Sequence, residues 1–338
     1  YNTTEGAAPI TSAVSALIGT SVTDVDSGAL SGVAIFGMTG SGGTLEYSLD
    51  GNTWSSVGSL SSSNALLLRS TDQVRFTPDR DNGGTIQVSY RAWDQTSGSA
   101  GSMVDVSVNG GATAFSSATD VVTCSIASVN DAPVLADTAL ILTVVEDAGA
   151  PTGAVGSTVS ALTGGLTDVD SGAIKGLAIT GTNETNGTWY YTTNGGSTWT
   201  AVGTVSTTSA LLLADNANTR LYFAPQADYN GTSAGAMTIR GWDQTSGTAG
   251  TKVSTASNGG TTAFSSATDT IDVTVTPVND APTDLSLSAN TVAENTATGT
   301  VVGTVSGTDP DSGDTKSYSF TDSAGGRFAI HSSTGVIA

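Results

Sequence analysis

A long stretch of this chain is written twice. Thr23-Asp24-Val25-Asp26-Ser27-Gly28 returns as Thr167-Asp168-Val169-Asp170-Ser171-Gly172, and Ala65-Leu66-Leu67-Leu68 as Ala210-Leu211-Leu212-Leu213. Phe76-Thr77-Pro78 returns as Phe223-Ala224-Pro225, and Trp93-Asp94-Gln95-Thr96-Ser97-Gly98 as Trp242-Asp243-Gln244-Thr245-Ser246-Gly247. The register drifts by a few residues, in Gly/Asn-rich stretches such as 182–187, as insertions in surface loops between retained strands would make it. Val129-Asn130-Asp131-Ala132-Pro133 and Val278-Asn279-Asp280-Ala281-Pro282 close the two copies and read as extended linkers, because Pro and the residue before it disfavour helix. A third, different copy follows. The division expected is 1–132 with a clipped first strand, 133–281, and a truncated start of a third domain at 282–338. A chain cut in this way reads as a fragment of a longer protein.

Within each copy the apolar period is two. Ile86-Gln87-Val88-Ser89-Tyr90 and Ile271-Asp272-Val273-Thr274-Val275 alternate as half-buried antiparallel strands require. Tyr47 to Trp54 and Tyr191 to Trp199 each bracket an Asp-Gly or Asn-Gly turn and read as hairpins. The acidic residues are mostly Asp, which favours turns and caps, and Lys and Arg together number 10 in 338 residues, so long amphipathic helices are disfavoured. Short strands with frequent turn signals predict an all-β fold of tandem Greek-key sandwiches. The Gly/Ser-rich run after Trp93 and Trp242 makes each copy longer than a minimal sandwich.

A formal charge of −20 repels phosphate backbones and anionic membrane surfaces, which argues against nucleic acid as a partner and makes cations the natural ones. No apolar run approaches the ~18–20 residues that span a bilayer, so no membrane insertion is expected. The single cysteine, Cys124, excludes an internal disulfide framework and stands where the second copy has Val273. It reads as a core residue.

The candidate chemistry lies in an Asp-x-Asp-x-Gly turn present in all three copies, at Asp24 and Asp26, Asp168 and Asp170, and Asp309 and Asp311. Two carboxylates two residues apart on a loop can converge on one hard cation, and Ca²⁺ takes 6–8 oxygens. Further oxygens stand at Glu5, Glu146 and Glu294, at Asp94 and Asp243, and in the linker pairs Asn130-Asp131 and Asn279-Asp280. In a sandwich these could meet at a domain pole. The competing reading is local: Asp24, Asp168 and Asp309 cap Asx-turns, and Asp94 and Asp243 end their strands. Trp54 and Trp199, after the hairpin turns, either pack across the sheet or stack on sugar rings.

An early Glu, an Asp-x-Asp turn, an Ala-x-Asp strand end and an Asn-Asp-x-Ala-Pro linker, in this order, resemble the cadherin-like domains, including those of large bacterial surface adhesins. The third copy resembles them best, through Ala293-Glu294-Asn295, Asp309-Pro310-Asp311 and Thr334-Gly335-Val336-Ile337. Arg91-Ala92-Trp93-Asp94 and Arg240-Gly241-Trp242-Asp243 match the strand-end motif, the second with Gly for Ala. The linkers lack the usual additional leading Asp and no Asp-Arg-Glu segment is found, which implies fewer or weaker ions. The resemblance implies Ca²⁺ held at or near the interdomain junctions of an extracellular, surface-attached stalk or filament, with the neighbouring repeats as the first partners.

An enzyme is not expected. The sole histidine, His331, lies in the third copy, and neither full repeat offers a Ser-His-Asp or Cys-His set or a phosphate-cradling loop with its Lys. The alternatives to a structural role are an adhesin module binding a cell-surface glycan or protein, and a self-assembling fibre or sheath subunit.

Overall fold

A computed structural model describes residues 1–311 and 313–338; Ser312, which in the sequence follows the Asp309-Pro310-Asp311 motif of the third copy, lies outside the described residues. Among the described residues the chain is all-β apart from a five-residue helix, Val14–Ile18, and one 3₁₀ turn, Val159–Ala161. It divides into two compact units. The first comprises Tyr1–Pro133 with the short segments Asp168–Ala173 and Gly259–Ala263; the second comprises Val134–Thr167, Ile174–Asn258 and Phe264–Ala338.

In the first unit a six-stranded sheet runs, in spatial order, Asn2–Thr4, Asp120–Ala127, Gly84–Trp93, Gly32–Gly40, Ala65–Arg69 and Met103–Val104. A four-stranded sheet faces it: Ile10–Ala13, Gln73–Pro78, Gly43–Ser48 and Ser55–Ser56. Pairing is antiparallel except at one edge, where Asn2–Thr4 lies parallel to Asp120–Ala127. The second unit repeats this six-over-four plan. Its larger sheet runs Leu140–Val145, Phe264–Thr276, Gly231–Trp242, Gly176–Thr182, Ala210–Ala214 and Lys252–Val253, again with a parallel first pair. Its smaller sheet runs Ser157–Thr158, Arg220–Pro225, Gly187–Thr192 and Thr200–Ala201. The third copy contributes a three-stranded sheet, Thr283–Leu287, Gly303–Thr308 and Val336–Ile337.

The alternation read from sequence places every second residue inside, as the pleat of a strand requires. Ile271, Val273 and Val275 point into the second core, and Cys124 and Ile126 into the first. Ala65–Leu68 is different, being buried throughout. Leu66 and Leu68 face the inside of the sandwich, whereas Ala65 and Leu67 face a second cluster with Trp93, Val106 and Phe115. The Gly/Ser-rich excursion after Trp93 is therefore a cover for the outer face of the larger sheet, which accounts for the extra length of the repeat.

The predicted hairpins form. Glu46 and Tyr47 pair with Ser56 and Ser55, and Tyr190 and Tyr191 with Ala201 and Thr200. In the first turn Asp50 accepts the N–H groups of Thr53 and Asn52 at 2.7 and 2.8 Å, bonds that hold its carboxyl well below the usual carboxylate range.

Candidate metal centres

Glu5 and Glu146 each follow the parallel edge strand of their sheet, and their neighbours dictate how they are presented. Gly6, Asp147 and Asn295, the residues after the three early glutamates, all have φ near +60°. Gly, Asp and Asn are the types that tolerate this left-handed conformation best. Glu5 is 6% exposed and Glu146 1%. Val129 N–H donates to Glu5 Oε1 at 2.7 Å, and Val278 N–H donates to Glu146 Oε1 in the same way. Each glutamate thus grips the linker that ends its own repeat.

Two further carboxylates complete each set. In the first unit one oxygen from each of Glu5, Asp131 and Asp170 lies within 4.8 Å of the other two; in the second unit the same holds for Glu146, Asp280 and Asp311. The two sets are equivalent position by position: a Glu after the edge strand, a linker Asp, and the second Asp of an Asp-x-Asp turn. Their internal bonds match as well. Asp131 N–H donates to Asp170 Oδ2 at 2.9 Å and Asp280 N–H to Asp311 Oδ2 at 2.6 Å. The linker asparagines support them, Asn130 Nδ2 donating to the Asp131 carbonyl at 3.1 Å and Asn279 Nδ2 to the Asp280 carbonyl at 2.9 Å. Beside the first set a cleft of about 250 Å³ is lined by Asn82, Ser128, Asn130, Asp170 and Ser171.

The first member of each Asp-x-Asp pair does a different job. Asp24 Oδ1 accepts Asp26 N–H at 2.9 Å, Asp168 accepts Asp170 N–H at 2.9 Å, and Asp309 accepts Asp311 N–H at 3.2 Å. This Asx-turn lets the second Asp project. Asp309 also lies near Asp311 and the exposed Asp314. Asp24 and Asp26 are exposed and join no carboxylate cluster among the described residues, nor does the exposed Glu294. Asp94 and Asp243 likewise join none. Each accepts the N–H of the Thr two residues on, at 2.8 Å, and closes the turn that follows its tryptophan.

Trp93 and Trp242 are core anchors, each donating its indole N–H to a backbone carbonyl four residues on at 2.7 Å. Trp54 and Trp199 are partly buried and already partnered. Arg75, ion-paired with Glu46 at 2.7 Å, covers the Trp54 ring at 4.3 Å from its centroid. Trp199 meets Tyr222 edge-on with centroids 6.0 Å apart and donates to the Gly153 carbonyl at 3.0 Å.

The structure adds residues that sequence reasoning passed over. Asp147 and Asp228 cluster with Asp280, and Asn230 Nδ2 donates to Glu146 Oε2 at 3.0 Å. A signal existed: Asp81 and Asp228 each stand three residues after the Pro that ends a Phe-x-Pro strand. Burial first, then the charges of Asp170 and Asp81, pushes the Asp131 carboxyl above its ordinary range. Burial first, then Asp147, Asp228, Asp311 and Glu146, does the same for Asp280.

These donor sets fit a hard divalent cation. All ligand groups are oxygens, with no sulfur or nitrogen to favour a softer metal. Oxygens bound to one Ca²⁺ at 2.3–2.6 Å lie at most about 4.6–5.2 Å apart, and within each set every pair is closer than 4.8 Å. Glu5 Oε2 and Asp280 Oδ2 are buried without a hydrogen-bond partner, and among the described residues no salt bridge reaches either set. Buried carboxylate oxygens so placed are costly unless a cation meets them.

No family model matches the sequence, and no curated protein sequence matches it. Among solved structures the chain is similar to the protocadherin GammaB4 extracellular domain, at 11% identity over 90% of this chain and 55% of that one, with a TM-score of 0.22. It is also similar to zebrafish RET cadherin-like domains 1 to 4, at 8% identity over 71% of this chain and 42% of that one, with a TM-score of 0.21. The chain spans about half the length of the structures it matches.

Proposed function

We propose that this chain is a run of Ca²⁺-binding β-sandwich domains from an extracellular, surface-attached stalk or adhesive filament, with a structural rather than a catalytic role. The observation that carries the reading is the recurrence of one buried Glu, one linker Asp and one turn Asp, at Glu5, Asp131 and Asp170 and again at Glu146, Asp280 and Asp311. In this reading Ca²⁺ supplies the charge that lets three carboxylates share one site. Glu5 and Glu146 hold the linker backbone through Oε1; Glu5 offers its unpartnered Oε2 to the ion, and Glu146 offers the remaining lone pair of an Oε2 that Asn230 also orients. Asp131 and Asp280 bring the linker itself into the site, so ion binding fixes the path of the chain from each domain to the next. Repetition of such a unit gives length and multivalency.

The test is thermal unfolding of the whole chain by circular dichroism, in excess EDTA and then with Ca²⁺ raised to millimolar levels. Binding to the native state raises the melting temperature by several degrees if ~2–3 kcal/mol is gained. The rise shrinks in Glu5→Gln and Glu146→Gln singly and vanishes in the double variant, while Asp94→Asn with Asp243→Asn leaves it in place. A melting temperature indifferent to Ca²⁺ would sink the proposal and reduce the carboxylate sets to turn formers.

A further inference from the structure

We propose that the two carboxylate sets differ in affinity for Ca²⁺, the second filling at a lower concentration than the first; this rests on the reading of both as ion sites. The frame of each is the same, a buried Glu, a linker Asp and a turn Asp. The residues around the frame are not. Asp147 follows Glu146, whereas Gly6 follows Glu5. Asp314 stands three residues after Asp311, where Ala173 stands three after Asp170. Sheet register supplies a third difference. Cys124 matches Val273, so Ile126 matches Val275; Gly84 lies opposite Ile126 and Gly231 opposite Val275, which puts Asn230 in the place of Gly83. Asp81 matches Asp228 by the same count, so that charge is common to both repeats.

Each difference adds charge or order to the second set. Asp147 and Asp228 both bring a carboxylate oxygen within 4.8 Å of one on Asp280, and Asp314 does the same for Asp309 and Asp311. In the first unit Glu5, Asp131 and Asp170 form the one such group among the described residues. Asn230 holds Glu146 Oε2 at 3.0 Å, where Glu5 Oε2 has no partner. Asp228 N–H donates to Asp147 Oδ1 at 3.3 Å, which ties the added carboxylate to the loop beside it. The affinity of an oxygen site for Ca²⁺ rises with its charge and its rigidity. Extra carboxylates repel their neighbours while the ion is absent and attract it when it arrives. Asp147 and Asp314 are exposed, so water screens them and the gap expected is moderate, about tenfold.

The first repeat is open to the same addition at one position and closed at the other. A Cβ at Gly83 would meet Ser128 N and Oγ at 2.5 Å and the Ile126 carbonyl oxygen at 2.7 Å, so the chain entering the linker excludes a side chain there. A Cβ at Gly6 would meet only the Arg80 carbonyl oxygen, at 3.9 Å. Gly6 and Asp147 also share their backbone, with φ of 63° and 59°. Gly6→Asp is therefore accommodated as Asp147 is. As Ca²⁺ falls, the linker segment at Val129-Asn130-Asp131 loses its ion first, while Val278-Asn279-Asp280 is still held.

The probe is CaCl₂, titrated at neutral pH into the whole chain, stripped of divalent ions and isotope-labelled for NMR. The reporters are the amides of Val129 and Val278, which donate to Glu5 and Glu146. The expected result is a Val278 midpoint at about one-tenth of the Ca²⁺ concentration that half-shifts Val129. Asp147→Gly raises the Val278 midpoint severalfold and leaves that of Val129 in place. Gly6→Asp, the reciprocal exchange, lowers the Val129 midpoint and leaves that of Val278. Melting curves in EDTA show whether each variant is folded, and either exchange by itself tests the inference. Coincident midpoints, the reverse order, or midpoints indifferent to both exchanges would overturn it while leaving two ion sites in place. No Ca²⁺-dependent shift at either amide would overturn it together with the ion reading beneath it.

Discussion

Gly32 and Gly176 show how little freedom a single position has here. A Cβ at Gly32 would meet Trp93 Cε3 at 2.8 Å, and one at Gly176 would meet Trp242 Cε3 at 2.6 Å and the Leu213 carbonyl oxygen at 2.9 Å. The glycine is a seat for the tryptophan ring, left empty in both repeats. Gly176→Ala should therefore destabilise the second sandwich by about 1–3 kcal/mol, the usual range for overpacking, read as a lower urea midpoint at unchanged slope. Gln95 and Gln244, at φ of 65° and 66°, are the counterpart in the backbone. Their side-chain amides donate to the carbonyls of Ser31 and Lys175, which helps hold a conformation a non-glycine residue otherwise avoids.

The strand Ala65–Arg69 tests the account of what the elements do. A strand with one face in solvent tolerates polar residues at alternate positions, and a strand covered on both faces does not. Leu66 and Leu67 are 1% and 0% exposed and point to opposite sides. Leu66→Ala and Leu67→Ala are accordingly expected to cost about 2–5 kcal/mol each in chemical denaturation. A large loss at Leu66 with little at Leu67 would mean that the excursion after Trp93 is not packed as a cover. The apolar run itself was legible in the sequence, as was the tryptophan anchor. Which segment covers the outer face was not, because that contact depends on a loop rich in Gly and Ser whose few apolar residues carry no period.

The acidity of the whole molecule, −20 at neutral pH, gives the metal reading a pH signature. The Asp131 and Asp280 carboxyls are raised above the ordinary 3.8, so in the native state they hold protons that the unfolded chain releases. In EDTA that contribution to stability is fully present below pH 3.8 and is lost as the pH climbs through the raised values. A cation takes the proton's place only once the proton has left. The gain in melting temperature on adding Ca²⁺ should thus be small near pH 4 and grow toward about pH 7, where the unneutralised sets repel most. Melting curves at several pH values, with EDTA and with Ca²⁺, check this, and a Ca²⁺ effect independent of pH would contradict it.

Local patterns carried a great deal. The duplication, the period of two, the Asp-Gly and Asn-Gly turns and the burial of Cys124 and of the paired tryptophans all follow from residue types and spacings, because strand alternation and turn geometry are set over a few residues. The companions of each carboxylate are another matter. Asp168 and Asp170 look alike in sequence, yet one caps a turn while the other meets Glu5 and Asp131. Asp94 and Asp243 satisfy a motif and close local turns instead of joining a cluster. Asp147 and Asp228 carry no such motif and still converge on Asp280. Convergence of groups far apart along the chain is decided by how sheet edges, linkers and loops pack at the end of a sandwich, and a short-range pattern does not encode that packing.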